Sequence, residues 1–162
     1  MYSVGIITAS DKGSAGERID KSGETIREIV ENAGYEVKKY IMLPDEKEKL
    51  KKEMKHMADD LEINLVLTTG GTGFSVRDIT PEATKEVIER ETPGISEAIR
   101  QYSMGVTKRA MLSRAVSGIR GKTLIINLPG SPKAVRESLE YIITELEHGL
   151  KILNGHEGEC AR

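Results

Sequence analysis

Short apolar runs alternate with longer amphipathic stretches along this chain, and the two periods predict its elements. Tyr2–Ala9, Tyr35–Leu43, Ile63–Thr68, Ala115–Arg120 and Thr123–Leu128 are brief and rich in Val, Ile and Leu, as strands are. Tyr2–Ala9 and Ile63–Thr68 are apolar almost without interruption, which fits central strands buried on both faces. Tyr35–Leu43 carries more charge and belongs nearer an edge. Helical spacing puts Ile26, Ile29, Val30 and Ala33 on one face of Lys21–Ala33, with Gly34 as the stop. The same spacing gathers Leu50, Met54, Met57, Ala58 and Leu61 on a second helix. Pro81–Glu91 forms a third, and Ile95, Ala98, Ile99, Tyr102 and Val106 share a face of a fourth. The last helix has the cleanest stripe: Val135, Leu139, Ile142, Ile143, Leu146, Leu150 and Leu153. The final two strands meet at Gly121 as a hairpin. This alternation predicts a three-layer α/β/α sandwich, its sheet mostly parallel with one antiparallel strand. One domain spans residues 1–154, followed by a polar tail, 155–162.

Composition narrows the partners. A chain of 162 residues buries roughly 70% of its unfolded surface, enough for a proper core. Trp is absent and Phe74 is the only Phe, so that core is aliphatic. The net charge of −2 shows no basic excess of the kind nucleic acid requires. Cys160 is the only cysteine, which allows neither an internal disulfide nor a zinc site and fits a reducing, cytoplasmic setting. No apolar run approaches a membrane span, and the N-terminus lacks a basic-then-apolar signal pattern.

The chemistry concentrates in the polar segments that follow the strands. Leu67–Thr84 reads LTTGGTGFSVRDITPEAT, a strand running into a glycine-rich loop and then a helix start. Glycines let backbone N–H groups approach an anion, and a helix N-terminus adds partial positive charge. Gly70, Gly71, Thr72 and Gly73 therefore form a candidate phosphate cradle, although neither the dinucleotide nor the P-loop pattern fits. Thr80 with Pro81 at the first helical position reads as a helix cap, but a cap alone leaves the glycines, Arg77 and Asp78 unexplained. Ser10 and Asp11 end the first strand, where open α/β sheets bind ligands. Asp45 follows the second strand, placed to cap the next helix. Gly130, Ser131, Pro132 and Lys133 follow the last strand, with Ser131 as a cap and Pro132 in the first turn. Four loops should thus meet at one rim. Two acids there, Asp45 and Asp78, fit a divalent cation beside phosphate, since Mg²⁺ is commonly held by one or two carboxylates plus phosphate oxygens. That combination implies phosphoryl or nucleotidyl transfer driven by positioning and charge stabilisation.

The sequence resembles the molybdopterin adenylyltransferase family: the bacterial and archaeal Mog and MoaB proteins and the G domain of gephyrin. The resemblance rests on Gly70–Gly73, Arg77-Asp78 and Thr80–Thr84, on Asn127–Gly130 with Pro132-Lys133, and on Leu112–Arg114 with Gly118–Lys122. It covers Ser3–Asn154. It implies binding of molybdopterin and Mg-ATP, with attack of the terminal molybdopterin phosphate on the α-phosphate of ATP. The products would be adenylyl-molybdopterin and pyrophosphate, with a molybdenum-insertion enzyme downstream. Asp45 and Asp78 would organise Mg²⁺ and the attack. Ser10, Asp11, Gly70, Gly71, Thr72, Gly73 and Thr80 would lie at the nucleotide, and Gly130, Ser131, Pro132 and Lys133 towards the pterin phosphate. Ser113-Arg114 and Gly118–Lys122 are expected to be structural or subunit contacts. Family members form trimers or hexamers. The alternative is a non-catalytic molybdopterin-binding or assembly protein of the same fold.

Overall fold

Neighbouring residues of the central strands diverge to opposite faces, and this splits the aliphatic core in two. Ile6, Leu67 and Ile126 turn to one side of the sheet and pack with Ile26, Val30, Leu139 and Leu146. Ile7, Val66 and Ile125 turn to the other and pack with Leu50, Met54, Met57 and Val87. That is the period-2 alternation of a strand applied to sheets covered on both faces. A computed structural model of the chain describes residues 1–156; the expected tail beyond His156, with Cys160, lies outside the described residues.

The strands are β1 (Ser3–Ala9), β2 (Glu36–Leu43), β3 (Leu65–Thr69), β4 (Arg90–Glu91), β5 (Ser117–Arg120) and β6 (Thr123–Leu128). They form one sheet in the order β2-β1-β3-β6-β5-β4. β2, β1, β3 and β6 are parallel, and β5 runs against both β6 and β4. The helices are α1 (Asp11–Ser14), α2 (Lys21–Asn32), α3 (Lys47–Lys55), α4 (Thr80–Val87), α5 (Pro93–Met104) and α6 (Pro132–Leu153). The mostly parallel sandwich with one reversed strand is as expected. Among the described residues, no helix is long and apolar enough to cross a membrane.

Several local expectations change. The third helix stops at Val87 instead of Glu91, because Arg90–Glu91 is taken as an edge strand by β5. The second helix ends in a π-helical turn, His56–Asp60, which alters its period; Met57 stays buried while Leu61 turns out to solvent. Of the apolar face expected on the fourth helix, Ile99 is buried, but Tyr102 and Val106 are exposed. The polar stretch after Ser10 forms the single helical turn α1, with Ser10 Oγ accepting from the Gly13 amide.

Strand order positions the site. β1 is followed by α2 on one face of the sheet, whereas β3 is followed by α4 on the other. The chain segments leaving these neighbouring strands diverge, opening a crevice at their carboxyl ends.

Candidate functional site

All four parallel strands deliver a loop to this crevice. It holds about 930 Å³ and is lined by Ser10 after β1, Asp45 after β2, Gly70, Gly71 and Asp78 after β3, and Gly130, Ser131 and Pro132 after β6. The backbone makes the glycine loop possible. Gly70 and Gly71 have φ of 90° and 69°, a left-handed conformation that side chains resist. Added Cβ atoms would also meet the Ala9 carbonyl at Gly70, and the Thr80 hydroxyl and, at 3.2 Å, Asp45 Oδ1 at Gly71. The second loop comes equally close: a Cβ on Gly130 would sit 3.6 Å from Gly70 Cα. Two hydroxyls hold that loop in place, Thr69 donating to the Pro129 carbonyl at 2.6 Å and Ser22 to the Gly130 carbonyl at 2.7 Å.

Asp45 does not cap α3. The helix begins at Glu46 without a side-chain cap, and Asp45 instead pairs reciprocally with Asp11. The Asp11 amide donates to Asp45 Oδ2 and the Asp45 amide to Asp11 Oδ1, both at 3.0 Å. Arg77, from the segment after β3, then grips Asp11, Nε to Oδ2 at 3.0 Å and Nη2 to Oδ1 at 2.8 Å. Asp78 receives the Ser75 amide on Oδ2 at 2.9 Å. The N-termini of α2 and α6 open at this rim, adding positive potential for an anion.

Residues 5–148 match the family model described as a probable molybdopterin binding domain. The chain belongs to this family. It is similar to the molybdopterin adenylyltransferase of Helicobacter pylori, at 40% identity over 155 residues covering 94% of this chain and 88% of that protein. It is similar in structure to the molybdopterin biosynthesis enzyme MoaB of Thermus thermophilus, with a TM-score of 0.91 and 48% identity over 96% of this chain and 98% of the other. The tungsten cofactor synthesizing protein MoaB of Pyrococcus furiosus superposes with a TM-score of 0.85 at 38% identity, covering 94% and 96% of the two chains.

In this member of the molybdopterin-binding-domain family, the acids of the cleft differ in charge environment. Burial pushes the Asp45 carboxyl above its usual range; the Asp11 amide opposes the shift, while the charges of Asp11 and Asp78 reinforce it. Asp11 is held low by its hydrogen bond from Arg77 and by the Asp45 amide. A carboxylate penalised by burial and by two neighbouring acids is one that a cation would relieve. Among the described residues no three His, Cys, Asp or Glu side chains converge as a metal site, so a cation here would complete its shell with phosphate oxygens and water.

Of the other expected residues, Thr72, Gly73, Thr80 and Lys133 sit around the cleft rather than on its wall. Thr72 is buried, and its carbonyl accepts from the Arg114 amide at 2.9 Å. Thr80 is fully buried and does not cap α4, which has no side-chain cap; its Oγ1 has no hydrogen-bond partner and lies against Gly71. The Gly73 carbonyl faces Arg114. The Lys133 side chain is 82% exposed, with its ammonium 3.9 Å from Glu137. Ser131 does cap α6, accepting from the Ala134 amide at 3.2 Å.

The cleft also includes residues that sequence reasoning did not count among those of the site. Arg18 and Lys21 supply the cations of its far wall, and Ile19 is 80% exposed beside them. Asp20 anchors this wall: Oδ1 caps α2 through the Gly23 amide at 2.9 Å, and Oδ2 accepts from Thr8 at 2.6 Å and from Tyr40. Burial and the Asp20 hydrogen bond both push the Tyr40 hydroxyl up, so it remains a donor. The available signal was an Asp-capped helix closely following a strand end, which brings residues 17–22 to the binding rim.

Proposed function

We propose that this chain is a molybdopterin adenylyltransferase of molybdenum cofactor biosynthesis, using Mg-ATP to adenylylate the terminal phosphate of molybdopterin. One juxtaposition supports the reading above all: Asp45 and Asp78 share a cleft with the Gly70–Gly71 loop in a member of this family. An oxygen of the molybdopterin phosphate forms the new bond to the α-phosphorus of ATP. The bond to the bridging oxygen breaks, and its electron pair leaves with pyrophosphate. The residues bind and orient rather than form a covalent intermediate. The amides of Gly70, Gly71, Thr72 and Gly73 bear on the nucleotide phosphates, with Ser10, Asp11 and Thr80 beside them. Gly130, Ser131, Pro132 and Lys133 face the pterin phosphate. Asp45 and Asp78 would hold Mg²⁺, which when bound neutralises charge developing on the transferring phosphate.

The deciding assay incubates pure protein with molybdopterin, Mg²⁺ and ATP. Adenylyl-molybdopterin and pyrophosphate are expected. Retention of molybdopterin with no ATP-dependent pyrophosphate overturns the proposal in favour of a binding or assembly protein. The same reading places the chain in the cytoplasm, as a homo-oligomer that passes its product to a metal-insertion enzyme.

A further inference from the structure

One side chain from outside the glycine-rich loop holds the loop at both ends. Arg114 lies between the 3-10 turn Lys108–Leu112 and β5. Its Nε donates to the Gly73 carbonyl at 2.8 Å and its Nη2 to the Asp78 carbonyl at 2.8 Å. Its Nη1 pairs with Glu82 in the first turn of α4, and its own amide donates to the Thr72 carbonyl at 2.9 Å. Burial raises the Glu82 carboxyl, but hydrogen bonds from Arg114 and from its own backbone amide leave it below the ordinary range.

Between Gly73 and Asp78 the other tie to the body of the protein runs through a side chain, the Arg77 pair with Asp11. Phe74 and Val76 are 71% and 98% exposed, so apolar packing within the chain does not order this segment. Its internal bonds are Ser75 N–H to Asp78 Oδ2 at 2.9 Å and Asp78 N–H to the Ser75 carbonyl at 3.0 Å. Both connect the loop to itself, whereas the planar Arg114 guanidinium ties its main-chain carbonyls to the body of the protein. A lysine could not reproduce this, because its point charge cannot serve two carbonyls and a carboxylate in one plane. Given the proposed reading of the site, we infer that Arg114 is a positioning residue for the transfer reaction, acting through Asp78. It holds the main chain on both sides of the tight 75–78 turn and so fixes where the Asp78 carboxylate stands in the cleft.

The test compares Arg114→Gln and Arg114→Lys by amide hydrogen exchange over residues 73–78 and by steady-state adenylyl transfer. The lysine variant keeps a partner for Glu82 and guards against loss of folding in the glutamine variant. The expected result is an unchanged global melt, faster exchange at Ser75 and Asp78, and kcat lowered about 10²-fold with KM for ATP little altered. In an Asp78→Asn background, Arg114→Gln should remove almost nothing further. Unchanged loop exchange in a folded variant overturns the inference, as do Arg114 and Asp78 losses that simply multiply. Should the wild-type protein make no adenylyl product, the functional reading fails separately, and exchange at Ser75 and Asp78 alone decides whether Arg114 holds the loop.

Discussion

Asp45 is under two opposing demands. Its position beside Asp11 and Asp78 suits it to a cation, while burial penalises its ionised form. A carboxyl whose folded pKa lies above its unfolded value destabilises the fold at pH above the raised value. The penalty disappears as pH falls below the ordinary carboxylate range near ~4. Asp45→Asn retains an oxygen for the Asp11 amide and removes the charge. It should therefore melt higher than wild type near neutral pH, with the gain shrinking on acidification, while turnover drops by about 10² or more. Asp78→Asn should lose activity similarly with the fold intact; thermal melts paired with the adenylylation assay check both. At Gly71 the constraint is steric. Gly71→Ala must hold a left-handed φ, costing about 1–2 kcal/mol, and its methyl meets Thr80 and Asp45. Urea denaturation should register that loss together with weakened nucleotide binding. Both acids and the glycines were legible in the sequence, because their density exceeds what a turn uses. The Asp11–Asp45–Arg77 arrangement was not, since each partner comes from a different loop and none carries a local signature.

At the level of elements, buried polar side chains join the layers beneath the cleft. Asn127 on β6 is fully buried. Its Nδ2 donates to Thr68 on β3 and Thr84 on α4, each at 2.9 Å, and its Oδ1 accepts from the Val116 amide at 3.1 Å. Thr84 in turn donates to the Thr80 carbonyl at 2.8 Å, so the network reaches the start of α4 below Gly71. Asn127→Ala should destabilise by about 3 kcal/mol, because polar groups on β3, on α4 and in the segment entering β5 all lose their partner. Equilibrium unfolding in urea measures it. The helices and central strands were readable from periodicity alone. The misses came where neighbours override local pattern: β4 exists through its pairing with β5, and the π-helical turn shifted Leu61 out of the stripe that Leu50, Met54 and Met57 keep.

Over the whole molecule, Phe74, Val76, Met111 and Leu112 are exposed by 71%, 98%, 60% and 47%. They lie on two segments brought side by side by the Arg114 amide and the Thr72 carbonyl. The proposed homo-oligomer would cover this surface. Light scattering should give a trimer or hexamer, and Val76→Asp should shift it towards monomer, since an uncompensated charge would be buried at the contact. An unaltered monomeric mass for the wild type would refute this. Because Val76 belongs to the segment that carries Arg77 and Asp78, dissociation should also lower turnover.

The sequence by itself determined the kind of elements, the α/β layering and the loops rich in glycine and acids. These depend on residues a few positions apart, where the periods of strand and helix and the conformational freedom of glycine act directly. Only the tertiary structure decided what each acid pairs with, which loops share a wall, and that Thr80 lies buried beneath Gly71 instead of capping its helix. Those outcomes follow from strand order: inserting β1 between β2 and β3 brings Asp11, Asp45 and Asp78 to one rim, and no local pattern encodes that contact.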